Sequence, residues 1–114
     1  MNIAFSGHRD KSVDVSRLEQ IRLQYPSATW VHGGAKGFDT QVEMFAKAHG
    51  IATIVHLPDY RTHGRAAPFV RNRTIVESST LLIALYDGRK TGGTLDAIKT
   101  ARKLKIPVTI LVPV

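Results

Sequence analysis

The stretch "LLIALYDGRKTGGTLDAIK", residues 81–99, decides how the rest of the chain is read. Leu81 to Tyr86 runs without polar alternation, the pattern of a strand covered on both faces. Asp87-Gly88-Arg89-Lys90-Thr91-Gly92-Gly93 then makes a polar, glycine-rich loop. From Thr94 to Leu104 the apolar residues Ala97, Ile98, Ala101 and Leu104 recur at helical spacing. Strand, glycine loop and helix in that order form a βα unit, and strands buried on both faces belong to parallel sheets.

The same punctuation recurs along the chain. Apolar and β-branched runs occupy Ile3–Phe5, Thr29–Val31, Ile51–Leu57 and Pro107–Val112. In the first intervening segment Ser16 and Glu19 fit a capping box, Leu18, Ile21 and Tyr25 form an apolar stripe, and Pro26 stops the helix. The second helix, Phe38 to His49, places Phe38, Val42, Phe45 and Ala46 on one side, with Gly50 as its C-terminal glycine. The third enters through Pro68 and carries Phe69, Ile75 and Val76. The expected fold is α/β: a single Rossmann-like three-layer sandwich over residues 1–114, with a mainly parallel five-stranded sheet and four helices.

A chain of 114 residues reads as one domain able to bury a core, and 22% charged residues is ordinary for a soluble protein. There is no cysteine, so disulfide and thiol chemistry are excluded. No apolar run approaches a membrane span, and a cytoplasmic protein without a membrane partner is expected. The net charge of +7 favours anionic partners.

In a parallel α/β sheet, ligands sit beyond the carboxyl ends of the strands. The loops there are "SGHR" (6–9), "HGGAKGFD" (32–39), Pro58 to Arg65, and Asp87 to Thr94. After the first strand, His8, Arg9 and Asp10 are all able to face a polar ligand. Gly33, Gly34 and Gly37 can bring backbone N–H groups to a phosphate, with Lys36 as a mobile charge; the same glycines also suit a tight turn. Asp39 can favour the helix start or accept a sugar hydroxyl. Gly92, Gly93 and Thr94 repeat the device, Thr94 either capping the helix or donating to a phosphate. Neither loop is a Walker A or GxGxxG motif, which argues against nucleoside triphosphate hydrolysis and dinucleotide redox chemistry.

In the third helix, Arg71 suits a bidentate contact to an oxyanion and Asn72 can position a ligand or a neighbouring loop, while Arg73 reads equally as a solvated face or as a binding residue. Arg61, His63 and Arg65 lie in a long loop placed like a lid. Lys99, Arg102, Lys103 and Lys105 read as a solvated outer face of the last helix, and Trp30 as core. His49 and His56 have no partner at ligand spacing, so neither a metal nor a cofactor is expected.

Together, "SGHR", "HGGAKGFD", "RN" at 71–72 and "GGT" at 92–94 resemble the SLOG superfamily, especially its short stand-alone YspA/YpsA-like branch. "GGAKGFD" and "RNRTI" also resemble the core of the DNA-processing protein A (Smf) family. The resemblance implies a nucleotide-related or nucleic-acid ligand over Ser6, Gly7 and Arg9; Gly33, Gly34, Lys36, Gly37 and Asp39; Arg71 and Asn72; and Gly92, Gly93 and Thr94. More distantly, the chain is similar to the lonely-guy phosphoribohydrolases, but Ala97 stands where their catalytic glutamate falls, and Asp96 points elsewhere on a helix.

The leading expectation is therefore binding of a nucleotide, nucleoside phosphate or nucleotide-derived small molecule, with no catalytic residue assigned. An N-glycoside hydrolase is the first alternative, and would need Asp39, Asp87 or Asp96 to activate water or polarise the sugar. The second is a single-stranded DNA-binding homo-oligomer, which would need a basic groove running across subunits.

Overall fold

Strands and helices alternate from end to end in the computed structural model, which describes residues 1–114. In chain order the elements are β1 (Asn2–Gly7), α1 (Val15–Gln24), β2 (Thr29–His32), α2 (Phe38–Ala48), β3 (Thr53–Val55), α3 (Tyr60–His63), a 3₁₀ turn (Gly64–Ala66), α4 (Ala67–Glu77), β4 (Leu81–Leu85), α5 (Gly93–Lys103) and β5 (Val108–Leu111). All four strand pairings are parallel, in the order β3-β2-β1-β4-β5. The α/β, Rossmann-like reading of the sequence is correct. No helix is long and apolar enough to cross a membrane.

Side-chain alternation along the strands sorts the core into two layers. Ile3, Phe5, Trp30, Ile83 and Leu85 face α1 and α2, meeting Leu18, Phe38, Val42 and Phe45. Trp30 is fully buried between Phe5, at a ring separation of 4.6 Å, and a stacked Phe45 at 5.6 Å. The other face carries smaller side chains, Ala4, Val31, Leu82 and Ala84, against Ile75 and Val76 of α4 and Ala97, Ile98 and Ala101 of α5. α4 starts from the segment after β3 and α5 from the loop after β4, so in this parallel sheet both first turns lie at the carboxyl edge.

Several local expectations change. The cap of α1 is Asp14, whose carboxylate accepts from the Ser16 amide at 3.0 Å; Ser16 lies inside the helix and makes no capping box with Glu19. The segment read as a lid loop contains α3, capped by Asp59 accepting from the Thr62 amide at 3.1 Å, and the 3₁₀ turn, so there are five α-helices. Phe69 and Leu104, read as apolar-face residues, are exposed. Coverage on both faces holds for β4, buried at all five positions, but the edge strands leave Ile54, Val55 and Ile110 open to solvent.

Candidate functional site

The chain runs outward from β1 to β2 and β3, then returns to place β4 on the other side of β1. That reversal opens a crevice at the carboxyl ends of β1 and β4, where open α/β sheets bind ligands. A cavity of about 500 Å³ lies there, on the α4 and α5 side of the sheet, floored by Ile75, Val76 and Leu82. Its volume falls in the range of small-molecule sites.

The loop after β2 is held by its own neighbours. Asp39, in the first turn of α2, reaches back so that its Oδ2 accepts from the Gly33 and Ala35 amides, both at 3.2 Å. Oδ1 is buried and has no partner within the protein. Burial raises the Asp39 pKa, against the bonds from Ala35 and Gly33 and the charge of Arg71, which lower it. The Gly34 amide donates to His32 Nδ1 at 3.0 Å, which leaves Nε2 to donate to Glu43 at 2.7 Å. That bond from His32 holds the Glu43 carboxyl below its usual range. Arg71 lies across Gly33, its Nη1 donating to the Gly33 carbonyl at 2.6 Å and its Nε to Asn72 Oδ1 at 3.0 Å. Burial lowers the Arg71 pKa; Asp39 and Tyr60 oppose the shift, and the like charge of Arg9 adds to it.

The loop after β4 is built differently. Gly92 is the N-cap of α5 with φ 112°, and no side chain caps the helix, so the amides of its first turn are free of intrahelical acceptors. Thr94, read as a helix cap or a phosphate donor, does not cap α5: it sits inside the first turn and is 3% exposed. Asn72 is buried and donates from Nδ2 to the Gly93 carbonyl at 3.3 Å, which links Arg71 to the start of α5. On the outer side Arg89 bridges Asp87, at 2.6 Å, and Asp10, at 3.0 Å. Those bonds hold both carboxyls below their usual range and raise the Arg89 pKa. His8 is 5% exposed and joins the β1 and β4 loops, its Nε2 accepting from the Asp87 amide at 3.2 Å and lying 3.1 Å from Asp87 Oδ1.

Of the residues singled out from sequence, Ser6, Gly7 and Arg9 line the cavity from β1 and its loop, and Gly33, Gly34 and Asp39 from the β2 side. Arg71 and Asn72 line it from α4, and Gly92, Gly93 and Thr94 from α5. Lys36 and Gly37 do not reach it. Lys36 is exposed, and Gly37 packs against the Arg9 and His8 carbonyls with φ 76°, the close approach its missing side chain allows. Arg61, His63 and Arg65 of the supposed lid are also exposed and outside the cavity lining. Arg89 lines the cavity and was not singled out, although its place in the polar loop after the most buried strand was the available signal. The bond between His32 and Glu43 had no signal in the spacing. No group of three or more His, Asp or Glu side chains is placed to hold a metal ion.

Residues 1–63, more than half of the chain, match YAcAr, the YspA, cpYpsA-related SLOG family. The chain belongs to this SLOG family. The match covers β1 through α3, including the glycine loop and Asp39, while Arg71 and the α5 loop lie beyond it. Among solved structures, this SLOG chain is similar to the C-terminal domain of the PF1911 hydrogenase from Pyrococcus furiosus, with 14% identity, a TM-score of 0.49, and coverage of 96% of this chain and 90% of that one. No curated protein matches its sequence.

Proposed function

We propose that the chain is a small binding domain for a nucleotide, a nucleoside phosphate or a nucleotide-derived molecule, its phosphate seated at the start of α5 and reached by Arg9 and Arg71. The observation carrying this reading is the convergence, in one cavity of about 500 Å³, of an uncapped helix N-terminus with two guanidinium side chains. Partial positive charge at the helix start and free amides favour an anion, and the like charges of Arg9 and Arg71 favour one further. Arg71 is already oriented by Gly33 and Asn72, so less side-chain freedom is lost on binding. Binding without cleavage is the expected outcome, because Ala97 presents only a methyl group to the cavity at the position where the resembling phosphoribohydrolases carry glutamate.

Calorimetric titration with AMP, ADP-ribose and short single-stranded DNA at controlled salt tests the reading. Saturable binding of a mononucleotide or ADP-ribose is expected, weakened about 10-fold by Arg9→Ala and by Arg71→Lys, with a non-additive double variant because both side chains address one phosphate. Unchanged affinity in both variants removes the clamp. Affinity that grows with DNA length and falls steeply with salt replaces the pocket by a polymer track. Release of free base from AMP restores the hydrolase alternative.

A further inference from the structure

Asp39 carries a feature that neither phosphate recognition nor the folding of its loop uses. The residue is 6% exposed and lines the cavity. One carboxylate oxygen, Oδ2, is committed to the Gly33 and Ala35 amides. The other, Oδ1, is buried without a partner. A buried carboxylate oxygen short of a donor is unfavourable, and proteins keep such groups where something else completes them. Arg71, on the same cavity, donates to the Gly33 carbonyl and to Asn72 Oδ1 and does not complete Asp39 Oδ1. Burial raises the Asp39 pKa, in keeping with a carboxyl that lacks donors.

The rest of the cavity favours negative charge, so a ligand that suits both parts is anionic at one end and offers a neutral hydrogen-bond donor close by. Asp39 and Arg71 line the same cavity and their charges interact, so the carboxyl group stands on its anion-binding side. In any nucleotide the group next to the phosphate is the sugar. Resting on the nucleotide reading above, we infer that Asp39 Oδ1 accepts a hydrogen bond from a ribose hydroxyl and that the site selects ribonucleotide chemistry over its deoxy counterpart. A hydroxyl donating to a carboxylate makes a short, charge-assisted bond. A site built around such an acceptor rejects an analogue that lacks the donor.

The test compares AMP and ADP-ribose with their 2′-deoxy and 3′-deoxy forms, and AMP with IMP, by calorimetry on the wild-type chain and on Asp39→Asn. In the wild type, removal of one of the two hydroxyls is expected to weaken binding about 10- to 100-fold. In Asp39→Asn, whose amide oxygen can still accept from Gly33 and Ala35, that discrimination should shrink to within about 3-fold. The wild-type comparison needs no variant, so it stands even if Asp39→Asn folds poorly. Equal affinity for ribose and both deoxy forms in the wild type overturns the inference and leaves the nucleotide reading intact. A loss confined to the exchange of AMP for IMP also overturns it, since the carboxylate would then read a base amino group. Failure of every nucleotide to bind removes the underlying reading, and this inference with it.

Discussion

The two glycine-rich loops look alike in sequence and differ in structure. Around 33–37, the Gly33 and Ala35 amides are taken by Asp39, the Gly34 amide by His32 and the Gly33 carbonyl by Arg71, while Gly37 packs against the backbone of the β1 loop. At the start of α5, a side chain added at Gly92 would meet nothing, and one at Gly93 would meet only the Asn72 amide at 3.3 Å. The first loop uses glycine to let the protein close on itself. The second leaves its amides for something else. Glycine content therefore marks close approach to a backbone, and only the neighbours show whether protein or ligand is approaching.

The largest expected effect comes from testing the first half of this comparison. Gly37→Ala would put a side chain at φ 76° and drive it into the Arg9 and His8 carbonyls. Left-handed strain of roughly 1–2 kcal/mol and overpacking of about 1–3 kcal/mol add to an expected loss of about 2–5 kcal/mol in urea or thermal unfolding. That corresponds to a fall in Tm of roughly 10 °C or more. A loss below about 1 kcal/mol would show that the loop is not the packed element described.

The second expected effect separates the loops by readout. Gly93 has no positive φ, begins a helix and has only a flexible side chain near its missing Cβ, so Gly93→Ala should leave stability within about 0.5 kcal/mol. The same methyl narrows the approach to the α5 amides, and AMP or ADP-ribose affinity should fall about 10-fold. A stability loss matching that of Gly37→Ala would make the two loops equivalent and break the comparison. Unchanged affinity would remove the α5 start as the phosphate seat.

What could be read beforehand follows the same division. Parallel βα alternation was legible because an unbroken apolar run such as Leu81–Leu85 needs cover on both faces, and every loop following a parallel strand then shares one edge. Roles that depend on tertiary partners were not. A carboxylate in a first helical turn can cap its own helix or turn back, and Asp39 turns back to the Gly33 and Ala35 amides, across a chain that passes the β1 loop at Gly37. Arg71 meets Gly33 across 38 positions and His32 meets Glu43 across 11, neither a helical or strand spacing. Lys36, the charge that looked most available in the glycine loop, falls outside the cavity because the chain has already turned toward α2.

The smallest expected effect concerns pH, where the two loops should respond with opposite sign. Asp39 has a pKa raised by burial, so its contribution to stability is fully present below the ordinary carboxyl value of about 4 and is lost as pH rises through the raised folded value. His8, in the tie to the β4 loop, has a pKa lowered mainly by burial and then by Arg89, with Asp87 and Asp10 opposing. The unfolded chain therefore takes up a proton at His8 before the folded chain does, and stability falls as pH drops below about 6.5. Unfolding curves measured from pH 7.5 to 4.5 should show His8→Gln with a shallower acid loss than wild type, and Asp39→Asn with a steeper one, because the compensating carboxyl has been removed. Nε2 of His8 lies close to both the amide and the carboxylate of Asp87, and the outcome that overturns this prediction is an exchange, on protonation, of the accepted bond for a donated one without opening of the loop. In that case His8→Gln would not flatten the acid limb, and the tie between the β1 and β4 loops would be one that survives protonation.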